Sequence, residues 1–66
     1  MNVVLSTIVG IRKARGFTQT EVSKELGITY VAYSNKENGK VDFLSSEIGA
    51  MAKLFGVDPG RFYKEL

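Results

Sequence analysis

The sequence predicts an all-α fold, a compact bundle of five short helices, and three observations predict it. Apolar residues recur at spacings of three and four along the whole chain. Gly16, Gly27, Gly39 and Gly56 each follow such a segment, where a left-handed residue commonly closes a helix. Capping patterns precede three of the segments, and no strand pair, repeat, linker or low-complexity tract interrupts them.

The first helix is expected from Asn2 to Arg15, with Val4, Ile8 and Ile11 on one face and Lys13 and Arg15 in the last turn, where cations favour the helix dipole. Its β-branched content leaves a short extended start at Asn2 to Leu5 as the alternative. Thr18-Gln19-Thr20-Glu21 is a capping box that opens the second helix, with Phe17 and Val22 as its hydrophobic staple. Val22 and Leu26 supply only two turns of apolar face before Gly27. Thr29 then caps the third helix, Tyr30 to about Asn38, and Gly39 ends it. Only Gly27 and Ile28 separate Leu26 from Thr29, so two short helices must meet at a steep angle with Ile28 turned inward: a helix-turn-helix at about residues 18–38. A fourth helix begins near Ser45 or Ser46, carries Ile48, Met51, Ala52 and Phe55 on one stripe, and stops at Gly56. Asp58-Pro59 starts a fifth, expected to run to the last residue, with Val57 and Phe62 as a second staple.

Composition narrows function before any motif is weighed. The 66 residues allow one domain, 1–66, whose small core makes a shared core between two chains plausible. There is no cysteine and no histidine, which removes disulfides, thiolate nucleophiles, common zinc frameworks and the usual neutral-pH acid-base group. An enzyme is not expected, and neither are a metal, a cofactor or a small-molecule ligand. No apolar run is long enough to span a bilayer and Met1 to Gly10 lacks the basic start of a signal peptide, so a cytoplasmic protein without a membrane partner is expected. Nine Lys or Arg against seven Asp or Glu fit an anionic partner without demonstrating one.

The run from Gln19 to Lys40, with Ile11 to Gln19 before it and Leu54 to Asp58 after, resembles the Cro and lambda-repressor-like helix-turn-helix family over nearly the whole chain. The resemblance implies a double-stranded DNA partner, with the helix after Thr29 lying in the major groove and the preceding helix crossing the backbone. It places Thr29, Tyr30, Val31, Ser34 and Asn35 at base edges and Thr18, Gln19, Asn38 and Lys40 at phosphates. Asn35 suits adenine, and Tyr30 or Val31 suits a thymine methyl. No arginine is present there for guanine, so an A·T-leaning site is expected. Capping alone would equally explain Thr18, helix termination Asn38, and an apolar contact with a protein Tyr30 and Val31. Arg12 and Glu37 match a pair of family positions that form an ion pair between the first and third helices.

Some residues depart from the family pattern. Ser23 replaces a small apolar residue, and Tyr33 and Lys36 stand where aliphatic side chains are usual. The Lys36 head is expected to reach water or phosphate, and the Tyr33 hydroxyl the surface. Asp42 should weaken the phosphate grip. Leu5, Val9, Val57, Phe62, Tyr63 and Leu66 offer more apolar surface than one small core requires and are the candidates for a homodimer interface; a core that uses every apolar residue it has is the alternative. The implied function is a transcriptional regulator, a Cro-like repressor of phage, prophage or plasmid type, reading a pseudo-palindromic operator with two recognition helices about 34 Å apart. The alternative is a protein-interaction module on the same fold, such as an antitoxin or an anti-repressor.

Overall fold

The computed structural model describes residues 3–66, so the expectation placed on Asn2 lies outside the described residues. Four α-helices follow one another, α1 (Leu5–Ala14), α2 (Gln19–Leu26), α3 (Tyr30–Glu37) and α4 (Ser45–Phe55), and a single 3-10 turn (Pro59–Tyr63) succeeds them. No strand occurs among the described residues.

The chain enters α1 through extended backbone at Val4, so the shorter of the two readings of the first helix holds. The reason lies at the opposite end of the sequence. The Val4 N–H donates to the Phe62 carbonyl at 2.7 Å, and the Thr7 hydroxyl donates to the Lys64 carbonyl at 2.6 Å. A fifth α-helix running to Leu66 would need the Phe62 carbonyl for its own ladder. That carbonyl bonds at the start of α1 instead, and Lys64 is extended, so the expected fifth helix is replaced by a short 3-10 helix. Asp58 still caps that turn, accepting from the Gly60 N–H at 2.9 Å.

Capping fixes the helix-turn-helix. Thr18 and Glu21 exchange bonds, the Thr18 N–H donating to Glu21 Oε1 at 2.8 Å and the Glu21 N–H to Thr18 Oγ1 at 3.1 Å. Those Thr18 donors hold the Glu21 carboxyl below its usual pKa. Gly27 closes α2 at φ +70°, a conformation that side chains with a Cβ disfavour, and Thr29 accepts from the Ala32 N–H at 3.0 Å to open α3. Ser23 is buried in α2, and its hydroxyl donates back to the Thr20 carbonyl at 2.7 Å.

The core lies between these elements, built on Ile8, Val22, Tyr33, Met51, Phe55 and Phe62. Phe55 is its hinge. Its ring stands 5.5 Å from Phe17 and 6.1 Å, edge on, from Phe62. Phe62 is 0% exposed, which corrects its expected place in a dimer interface: the residue belongs to the chain's own core. A single core of this size needs the ring for itself.

Candidate nucleic-acid interface

Only one side of α3 is used by the fold. Tyr33, Lys36 and Glu37 are buried, while Thr29, Tyr30 and Val31 stand outward at its N-terminal end, Tyr30 at 51% and Val31 at 64% exposure. Ser34 and Asn35 continue that outward edge at intermediate exposure. Thr18 and Gln19 open α2, and Asn38 and Lys40 follow the end of α3. Thr29 and Thr18 both already cap helices, and the Thr18 hydroxyl also donates to Glu21 Oε1 at 3.1 Å, which leaves the Thr29 hydroxyl hydrogen for another partner.

Beneath the edge lies a buried polar network that sets the orientation of α3. Arg12 donates from Nε to Glu37 Oε2 at 2.8 Å and from Nη2 to Oε1 at 3.2 Å, and its Nη1 donates to the Phe17 carbonyl at 2.8 Å. One guanidinium therefore ties α1 to α3 and to the corner before α2. Glu37 also accepts from the Tyr33 hydroxyl at 2.6 Å and from Gln19 Nε2 at 2.8 Å. The expectation that the Tyr33 hydroxyl would reach the surface is thus corrected. Tyr33 is wholly buried, and an unpaired phenol there would cost more than the bond Glu37 provides.

The electrostatics follow from these partners. Burial alone would push the Glu37 carboxyl up, but hydrogen bonds from Arg12, Tyr33 and Gln19 outweigh it and hold the group below its usual value. Burial works against the Arg12 charge, and the bond and charge of Glu37 more than restore it. Tyr33 is raised, first by burial and then by the carboxylate it faces. All three groups are fixed in one charge state near neutral pH.

Lys36 is corrected as well. Its ammonium does not stand free at the surface but pairs with Glu47 Oε1 at 2.9 Å and donates to the Asp42 carbonyl at 3.1 Å. Glu47 also accepts the Leu44 N–H at 2.8 Å, so the same carboxylate caps α4 and neutralises Lys36. Glu47 is the residue that sequence reasoning missed. Its place three residues after Leu44 is the acceptor half of a capping box whose threonine half is absent, and that half-motif was the available signal.

Of the remaining dimer candidates, Leu5 and Val57 pack partly against the core, Val9 is half-buried, and Tyr63 and Leu66 are exposed at 40% and 71%. The Leu66 side chain lies over Gly10. No helix among the described residues is long and apolar enough to cross a membrane.

No curated protein and no solved structure matches the chain. A family model does: the family described as Helix-turn-helix matches residues 10–62, from inside α1 to the end of the core-forming turn. With the edge of α3, the glycine-closed corner and most of the sequence in agreement, the chain belongs to the helix-turn-helix family, in the Cro and lambda-repressor-like line of DNA-binding regulators.

Proposed function

We propose that the chain is a sequence-specific regulator of transcription, a Cro-like repressor of phage, prophage or plasmid type that acts in the cytoplasm by covering a pseudo-palindromic operator as a homodimer. The observation that carries this reading is the exposed N-terminal edge of α3, apolar and polar by turns, on a helix whose other side is locked by Glu37. Thr29, Tyr30, Val31, Ser34 and Asn35 read base edges, and Thr18, Gln19, Asn38 and Lys40 hold phosphates. Tyr63, Leu66 and Val9 join the two protomers. The chain acts by binding and not by catalysis.

Two substitutions separate reading from gripping. Asn35→Ala is expected to lose about 1–3 kcal/mol of discrimination at one A·T position while non-specific affinity stays nearly unchanged. Gln19→Ala is expected to weaken binding to all sequences together. Selection from random duplexes, followed by titration of the selected site and of a scrambled one, checks both. Uniform loss for Asn35→Ala would overturn its base-reading role.

Tyr30 and Val31 also favour a second reading, in which this edge docks on a protein as in an antitoxin or anti-repressor. Titration of mixed genomic DNA at two salt concentrations separates the two. The regulator binds steeply less well as salt rises, and the protein-docking module binds weakly or with no salt dependence.

A further inference from the structure

The outward edge of α3 carries no charge. Thr29 to Asn35 contains no Asp, Glu, Lys or Arg, and the first cation after it, Lys36, is buried against Glu47. Arg12 is likewise taken up by Glu37. An edge without a guanidinium or a free ammonium cannot offer guanine O6 and N7 the paired donors by which that base is most often read. Its most exposed large side chain is Val31, an entirely apolar one. A lone exposed valine needs no explanation in itself, so what matters is where this one stands and what else it does.

Val31 and Asn35 are four residues apart within α3, which sets their Cβ atoms about 5–6 Å from each other on one stripe of the helix. That stripe is turned away from the fold, because the buried side of the same helix is Tyr33, Lys36 and Glu37. Valine is a poorer helix former than alanine, and this one buries little against its own chain, so neither the helix nor the core gains by it. Its branched side chain is also stiff at χ1 in a helix, so it presents two methyl groups in one fixed direction with little entropy left to lose. A side chain of that kind suits a small apolar target at a defined position.

The major groove presents one such target, the methyl group on C5 of a pyrimidine. Thymine always carries it, and cytosine carries it once methylated. Beside that carbon thymine shows a carbonyl acceptor and cytosine an amino donor, and valine can bond to neither, so it responds to the methyl group and not to the base. We propose that Val31 reads a pyrimidine C5-methyl group in the major groove, taking thymine and 5-methylcytosine alike, beside the base pair that Asn35 reads. The proposal rests on the DNA-binding reading and names the chemical mark by which the duplex is recognised. Cytosine methylation at that position would then strengthen binding.

The test uses a duplex selected from random sequences and copies of it altered one base pair at a time. Each thymine in turn is replaced by uracil, which removes the methyl group and leaves the pairing intact, and each T·A pair by C·G with and without the C5-methyl group. At the position read by Val31, uracil is expected to weaken binding about 3- to 10-fold, the scale set by burying one methyl group and the part of the valine that covers it. Methylation of cytosine there is expected to strengthen binding by a similar factor. Val31→Ala is expected to remove both differences. Val31 lies outside the core and alanine favours helix, and thermal unfolding checks that the variant is folded; if it is not, Val31→Ser carries the test by the same ratios. A uracil scan without effect, a uracil effect that survives the Val31 variants, or a cytosine whose methylation changes nothing overturns the proposal while the regulator reading stands. A parent chain that binds no duplex at low salt overturns the regulator reading and the methyl reading with it.

Discussion

Arg12→Ala is expected to lower the unfolding free energy by about 3–5 kcal/mol, because it strands a buried carboxylate among partners that cannot neutralise it. Glu37 would keep the Tyr33 hydroxyl and the Gln19 amide, both neutral, and would lose two charge-assisted bonds. The Phe17 carbonyl would lose its donor as well. A 66-residue domain has roughly 3–10 kcal/mol in total, so the loss removes about a third or more of its stability and unfolds the domain outright at the lower end of that range. Urea titration of parent and variant measures the loss, and Tyr33→Phe, which removes one bond and no charge, is expected to cost less, about 1–3 kcal/mol. The two losses should not add, since both act on one carboxylate. An Arg12→Ala loss under about 1 kcal/mol would show that the pair is solvated.

The same carboxylate gives the fold a pH dependence of definite sign. Glu37 is held below its unfolded value, so its contribution is present above the unfolded carboxyl range and is lost as pH falls through the folded pKa. Arg12 is raised above a range that is already far from neutral, so its contribution persists throughout the acidic and neutral region. Stability of the parent should therefore decline below about pH 4.5, the ordinary range of a glutamate carboxyl. Glu37→Gln should flatten that decline. An undiminished acid slope in the variant would assign the effect to another carboxylate.

How much of this could be read from sequence differs from residue to residue. Thr18, Glu21, Gly27 and Thr29 were legible because each answers a local question of backbone hydrogen bonding or left-handed φ, and local questions are answered within a few residues. The last segment was not. Asp58-Pro59 announces a helix start correctly, but what stops that helix is the pairing of Phe62 and Lys64 carbonyls with Val4 and Thr7, an interaction across nearly the whole chain. Phe62 misleads for the same reason, since an aromatic ring near the end of a chain reads alike whether it fills a core or a partner. Tyr33 and Lys36 stood out as departures from the family pattern, yet their partners lay four residues away in one case and eleven in the other. The outward edge of α3 was legible in advance only through the resemblance, because eight residues of helix give no clear second face of their own.

Glu47→Leu is expected to cost about 3–5 kcal/mol, and the loss should be recovered when Lys36→Leu is added. The single change leaves an ammonium buried with one backbone carbonyl, that of Asp42, and leaves the Leu44 N–H without its acceptor. Neither partner can leave alone. Removing both charges places two apolar side chains between α3 and α4, the arrangement for which aliphatic residues at position 36 are usual in the family. Replacing a buried pair with packed apolar groups is often neutral or stabilising by about 1–4 kcal/mol, against which the lost cap of α4 counts about 1 kcal/mol. The double variant is therefore expected within about 2 kcal/mol of the parent, with a coupling energy of several kcal/mol across the cycle. Additive losses would mean that Lys36 and Glu47 are stabilised separately. If the coupling holds and DNA affinity of the double variant nevertheless falls, the pair's role is to set the loop bearing Lys40 and Asp42, because that loop is the one element the Lys36 ammonium holds through a backbone carbonyl.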